Sequence, residues 1–92
     1  MTKPIKSHTF RERRYRIKLQ RPSIDELGRC EHPGAKHKAI HLDPDLDGRL
    51  AMDTAIHEAL HACFWWLSEE VVEKVATDIA RFLWRLGYRQ VK

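Results

Sequence analysis

Three residues in one short run have the types and spacing of a reactive centre: His57, Glu58 and His61, the H-E-x-x-H of Thr54-Ala55-Ile56-His57-Glu58-Ala59-Leu60-His61-Ala62-Cys63. Ala, Leu, Met and Glu favour a helix, no Gly or Pro interrupts from Leu50 to Leu67, and Asp47 or Asp53 can cap the start. Residues four apart share a helix face, so both imidazoles can reach one ion. Zn2+ takes a tetrahedral set of nitrogen, oxygen or sulfur ligands at about 2.0–2.3 Å, and two histidines at this spacing supply half of it. Glu58 lies about 100° round the helix from His57. There it can hold a water activated by the metal, take its proton and pass it on without occupying a ligand position.

A chain with six histidines among 92 residues can carry this pattern by accident. The neighbouring residues argue otherwise. Ala51, Met52, Ala55, Ile56, Ala59, Leu60, Ala62, Cys63 and the aromatic run that follows make the segment apolar over most of its circumference, which predicts a buried helix. Its polar stripe of Thr54, His57, Glu58 and His61 is then expensive to desolvate unless a metal pairs with it.

The elements that must position these residues can be read from periodicity. Residues 1–8 hold little apolar content and read as a flexible tail, leaving 9–92 as a single domain. Tyr15-Arg16-Ile17-Lys18-Leu19-Gln20 alternates apolar and polar, the period of a half-buried strand, with Arg14, Arg16 and Lys18 outward. Gly28 to His32 reads as a second short strand before the turn at Pro33-Gly34, and Lys38 to Asp43 as a third with Ile40 and Leu42 inward. Asp43 to Arg49 turns the chain into the motif helix; its aspartates are capping residues, since Pro44 and the missing terminal Glu rule out a calcium loop. Ser68 followed by Glu69 and Glu70 predicts a second helix start, Val72, Val75, Ile79, Leu83 and Leu86 its apolar face, and Gly87 its end. The fold class is therefore α+β: a short antiparallel sheet of two or three strands packed on the H-E-x-x-H helix and on a second helix antiparallel to it.

A metal site needs a third ligand, and Glu69, Glu70 and Glu73 are the candidates. A helical hairpin turning near Leu67 or Ser68 pairs residues whose numbers sum to about 135. That sets Glu73 level with His61, beside the small residues Ala76, Thr77 and Ala80. Asp78 falls level with His57, where it suits the orientation of a histidine. Cys30 or His32 could close the metal as a fourth ligand and make the site structural.

The run His57-Glu58-Ala59-Leu60-His61-Ala62, with Lys38-Ala39-Ile40-His41-Leu42 before it and Glu73-Lys74-Val75-Ala76 after it, resembles the zincin metallopeptidases. Among them it is similar to the small HExxH domains of bacteria and phages whose third ligand is a glutamate. The last segment resembles the E-x-x-A-N-x-F-A helix of the repressor-cleaving and stress-response peptidases, with Thr77 in place of Asn and eleven residues between His61 and Glu73. The resemblance implies a zincin-like domain, one Zn2+ held by His57, His61 and Glu73, Glu58 as general base, and a peptide or protein substrate. It also implies that the strand before the helix, Lys38 to Leu42, pairs with the substrate backbone, and that a second donor such as His32, His37 or His41 steadies the oxyanion.

Composition bounds the alternatives. No apolar run approaches the roughly 18 residues of a membrane span, and the first residues lead into charge without a signal-peptide core, which points to the cytoplasm; the resemblance implies that of a bacterial or phage-infected cell. Cys30 and Cys63 then read as reduced, core-filling thiols. Through Arg29 the chain has nine Lys or Arg against three Asp or Glu, a balance of +6; the remainder has eight against ten, a balance of −2. Such asymmetry permits a second reading, a non-catalytic zinc-stabilised module that binds DNA or protein through its basic N-terminal strand. Trp65, Trp66 and Trp84 read as core packing, or as an interface at which a homodimer or partner completes the cleft.

Overall fold

The computed structural model describes residues 4–91. In chain order the elements are β1 (Ser7–Phe10), β2 (Arg13–Lys18), β3 (Gly28–Cys30), β4 (Ala39–Leu42), α1 (Gly48–Cys63) and α2 (Glu69–Leu86). The α+β class is as expected, but the sheet is larger and differently connected. It has four strands in the order β1-β2-β4-β3, antiparallel except for a parallel pairing of β2 with β4.

The extra strand lies partly in the stretch read as a tail. Ser7 and His8 pair with Arg16 and Tyr15, so the sheet begins before the Thr9 boundary; residues 1–3 of that stretch lie outside the described residues. The hairpin was hidden because its turn carries no Asn-Gly signal. Arg11 (φ 48) and Glu12 (φ 70) both adopt the left-handed conformation that a two-residue hairpin turn requires and that non-glycine residues disfavour. A tertiary contact holds Arg11 there. Its guanidinium donates to the Cys63 carbonyl at 2.9 Å and lies over the rings of Phe64 and Trp66.

That contact sits where α1 ends. The helix stops at Cys63 rather than running to Leu67, and Phe64 to Leu67 form the turn into α2. At its other end Asp47 is the N-cap residue, without a side-chain capping bond, and Asp53 lies within the helix, where it accepts from the Thr77 hydroxyl at 3.0 Å. α2 matches its sequence signature closely. Ser68 Oγ accepts from the Val71 amide, and Gly87 (φ 99) closes the helix in a left-handed cap, with Tyr88 N donating to Leu83 O.

The layers stack as sheet, α1 and α2, and among the described residues α2 packs on α1 alone. Tyr15, Cys30, Ile40 and Ala62 form the core between sheet and α1, with Phe10, Ile17 and Leu42 against it. Between the helices the buried residues are Val72, Ala76 and Ala80; the two alanines let the helices approach closely, and full burial of Val72 contributes about 1.5–3 kcal/mol. The expected apolar face of α2 is thus only half covered: Val75, Ile79 and Leu86 are exposed, with Val71 and Phe82 beside them. Nor is α1 buried all round, since its buried residues are Thr54, Glu58 and Ala62. Trp65 and Trp66 are exposed rather than in the core, and Trp84 is half-buried against Gly48 with the Arg89 guanidinium 3.4 Å above its ring.

Tyr15 is fully buried, and its hydroxyl has no hydrogen-bond partner among the described residues. A buried unpaired hydroxyl costs roughly 1–3 kcal/mol. Tyr15→Phe is therefore expected to raise unfolding stability by about 1 kcal/mol, measured by urea denaturation; a loss of stability would show that the hydroxyl is satisfied.

Candidate metal centre

Helical spacing puts His57 and His61 on one face of α1, with ring centroids 4.9 Å apart. Both present Nε2 to the same carboxylate: His57 Nε2 lies 2.6 Å from Glu69 Oε1 and His61 Nε2 lies 2.8 Å from Glu69 Oε2. Donor atoms of the three residues all fall within 4.8 Å of one another, a triangle that can hold one metal ion. Two neutral imidazoles and one carboxylate form a donor set suited to divalent first-row metals, with positions left open for water or substrate.

Glu69, rather than Glu73, is the carboxylate brought to the histidines. The early end of α1 is the reason. Asp53 meets Thr77 and His61 meets Glu69, pairs whose numbers both sum to 130, so the hairpin is centred on residue 65 and every level of α2 shifts by about one turn. Glu73 is exposed, and with Asp78 it borders a shallow groove shared with Glu70, Lys74 and Thr77. Asp78 therefore orients neither histidine. No local signal marks the break, since Phe64-Trp65-Trp66-Leu67 continues the apolar run up to Ser68.

The other proposed ligands are not part of this triangle. Cys30 belongs to the core, and burial, followed by the neighbouring Glu58 charge, pushes its thiol up to about 12, so it stays protonated at neutral pH. His32 Nδ1 accepts from the Gly34 amide at 2.8 Å and its ring meets Trp65 edge-on. Both cysteines are free thiols.

Glu58 follows from the same helix. It is 7% exposed on the face of α1 that meets the sheet, and burial pushes its carboxyl up to about 7. The Glu69 and Glu26 carboxylates act in the same direction and His57 opposes them. Its side chain lies directly under Gly28. A Cβ on that residue would stand 2.9 Å from Thr54 Cγ2 and 3.0 Å from both Glu58 Cγ and Oε2, so only glycine lets β3 pass this close.

A cleft of about 600 Å³ between β3 and α1 is lined by Gly28 and Arg29 from the strand, by His57, Glu58 and His61 from the helix, and by Trp65 and Glu69 beyond it. Of the histidines suggested as oxyanion donors, none lines it: His41 pairs with Glu31 at 3.3 Å, His37 is exposed, and His32 sits behind Trp65. The strand expected to pair with a substrate is not an edge strand. Lys38 to Leu42 covers β4, which has β2 on one side and β3 on the other and offers no free edge. The edge strand beside the cleft is β3. Asp43 N donates to Leu27 O and Glu31 N to Ala39 O, so Leu27, Arg29 and Glu31 turn their backbone groups toward β4. By alternation Gly28 and Cys30 turn theirs outward.

Comparison with protein families, with curated proteins and with solved structures gave no match to this chain.

Replacing Glu69 by Gln is expected to weaken binding of a divalent metal by at least about tenfold, and His57→Ala to abolish stoichiometric binding, in competition with a chromophoric chelator. Glu73→Gln leaves affinity unchanged if Glu69 is the ligand. Gly28→Ala is expected to lower stability by about 1–3 kcal/mol through overpacking, and Thr54→Ser in the same chain to recover part of the loss by removing Cγ2, both read by denaturant unfolding.

Proposed function

We propose that this chain is a minimal zinc-dependent peptidase that cleaves a peptide bond in an extended segment laid along β3. The observation that carries the reading is the juxtaposition in one cleft of three parts: a two-histidine, one-carboxylate triangle, a buried glutamate at the adjoining sequence position, and a sheet edge with free backbone groups. His57, His61 and Glu69 would hold the zinc, which would supply Lewis acidity for activating water and polarising a carbonyl. A general base beside such a donor set favours hydrolysis over the oxygen chemistry that two histidines and a carboxylate also support with iron.

The remaining work falls to the chain's own residues. Gly28 and Cys30 pair their outward N–H and C=O groups with the substrate backbone, as an added strand. This holds the peptide between β3 and the α1 floor, where Glu58 lies under Gly28. Burial raises the proton affinity of Glu58, so it takes the proton of the attacking water and returns it to the leaving amine. Trp65, which lines the cleft, provides an apolar surface for a substrate side chain. The resemblance to the zincin metallopeptidases supports the same reading, and the two free thiols suit a reducing cytoplasm.

Glu58→Gln tests it. The zinc-loaded protein is expected to cleave members of an unstructured peptide library, and the variant to keep its metal while losing turnover by about 10²–10⁴-fold. A wild-type protein that leaves every peptide intact, or a variant that cleaves as well as wild type, defeats the proposal.

A further inference from the structure

We propose that the outer face of the sheet binds the phosphate backbone of duplex nucleic acid. Along β2, Tyr15 and Ile17 turn into the core, so alternation sends Arg14, Arg16 and Lys18 to the opposite face. The register sets Arg16 beside Ser7 and Ala39, and Lys18 in one row with His41 and Arg29. Gly28 faces α1 and Cys30 the core, so Arg29 between them points outward with the β2 cations. Both helices lie on the inner side, and among the described residues no element covers this face.

The charges on it are not all neutralised within the chain. Arg29 is held in a two-bonded pair by Glu26, and His41 by Glu31. No described carboxylate lies within ion-pair distance of Arg14, Arg16 or Lys18, all three exposed. Their side chains are spaced by about 6.7 Å along the strand, two residues per step, and like charges in a row repel. A partner with regularly spaced anions reverses the sign of that interaction. A nucleic-acid duplex presents such an array, with one phosphate per about 3.4 Å of axis on each strand.

The chemistry of the face selects among polyanions. It has no Phe, Tyr or Trp on which unstacked bases could lie, which disfavours single strands. Continuing the register, Ile5 stands exposed beside Lys18, but one apolar side chain is too few to seat a protein in a lipid interface; the exposed Val71, Phe82 and Leu86 belong to α2, on the far side of α1. The acids Glu69, Glu70, Glu73 and Asp78 also sit on α2, so a duplex on the sheet does not meet them. Arg14, Arg16 and Lys18 do not line the metal cleft, although Arg29 and its partner Glu26 border it. This inference is independent of the metal chemistry and stands if the peptidase reading fails.

Fluorescence anisotropy of the full chain with a labelled 20-base-pair duplex tests it. Three phosphate contacts predict an affinity that falls about 40-fold between 50 and 200 mM salt, with little dependence on sequence. Arg14→Glu with Arg16→Glu is expected to reduce affinity at least about tenfold, and the milder Arg14→Gln with Arg16→Gln to reduce it in the same direction. Lys74→Glu with Arg81→Glu on α2, the same change in charge, leaves it unaltered. Circular dichroism confirms that each variant is folded. Absence of duplex binding, equal loss in the α2 variant, tighter binding to a single-stranded oligonucleotide, or tighter binding to phosphatidylserine vesicles at the same salt overturns the proposal.

Discussion

The place where α1 stops decides which carboxylate meets the two imidazoles. Nothing in the helix propensities of Cys63 to Leu67 requires a break there. The break is fixed from outside, by the Arg11 guanidinium on the Cys63 carbonyl and over the Phe64 and Trp66 rings. With the turn centred on residue 65, the first residue of α2 falls level with His61, and Glu69 closes the triangle. The same Arg11 forms half of the hairpin turn that adds β1 to the sheet. A strained turn and a helix terminus thus stabilise each other, and the candidate metal centre depends on both.

The second constraint is the approach of β3 to α1. Gly28 permits the backbone to ride on Glu58 and Thr54, which removes a carboxylate from water while keeping it in the cleft. Desolvation then raises the proton affinity of Glu58 toward neutrality. The edge position of β3 follows from the chain path: β4 returns inside β3 to pair with β2, leaving the earlier strand outermost. One crossover thereby places a free backbone edge beside the buried acid.

The domain achieves this with little interior. The large side chains with almost no exposure are Tyr15 and Val72, and most of the remaining core is alanine. A three-layer arrangement of sheet, α1 and α2 encloses only the inner sheet face and one stripe of α2. What is left outside divides by chemistry, with a cationic sheet surface on one side and on the other a helix that carries both exposed apolar residues and most of the acids of the second half of the chain. The uneven charge along the sequence becomes an uneven charge across the molecule.

The sequence alone determined the local features. Spacing put His57 and His61 on one helical face, Ser68 and Gly87 set the ends of α2, and alternation sent Arg14, Arg16 and Lys18 to the face opposite Tyr15 and Ile17. Each of these depends on residues within a few positions of one another, where backbone geometry leaves few choices. Tertiary structure alone decided the rest: Glu69 over Glu73, β3 over β4 as the free edge, a parallel pairing inside an otherwise antiparallel sheet, and a first strand within the supposed tail. Those outcomes turn on contacts across long stretches of chain, such as Arg11 with Cys63 and Gly28 with Glu58, and no periodicity in the residues between them encodes where the two ends will meet.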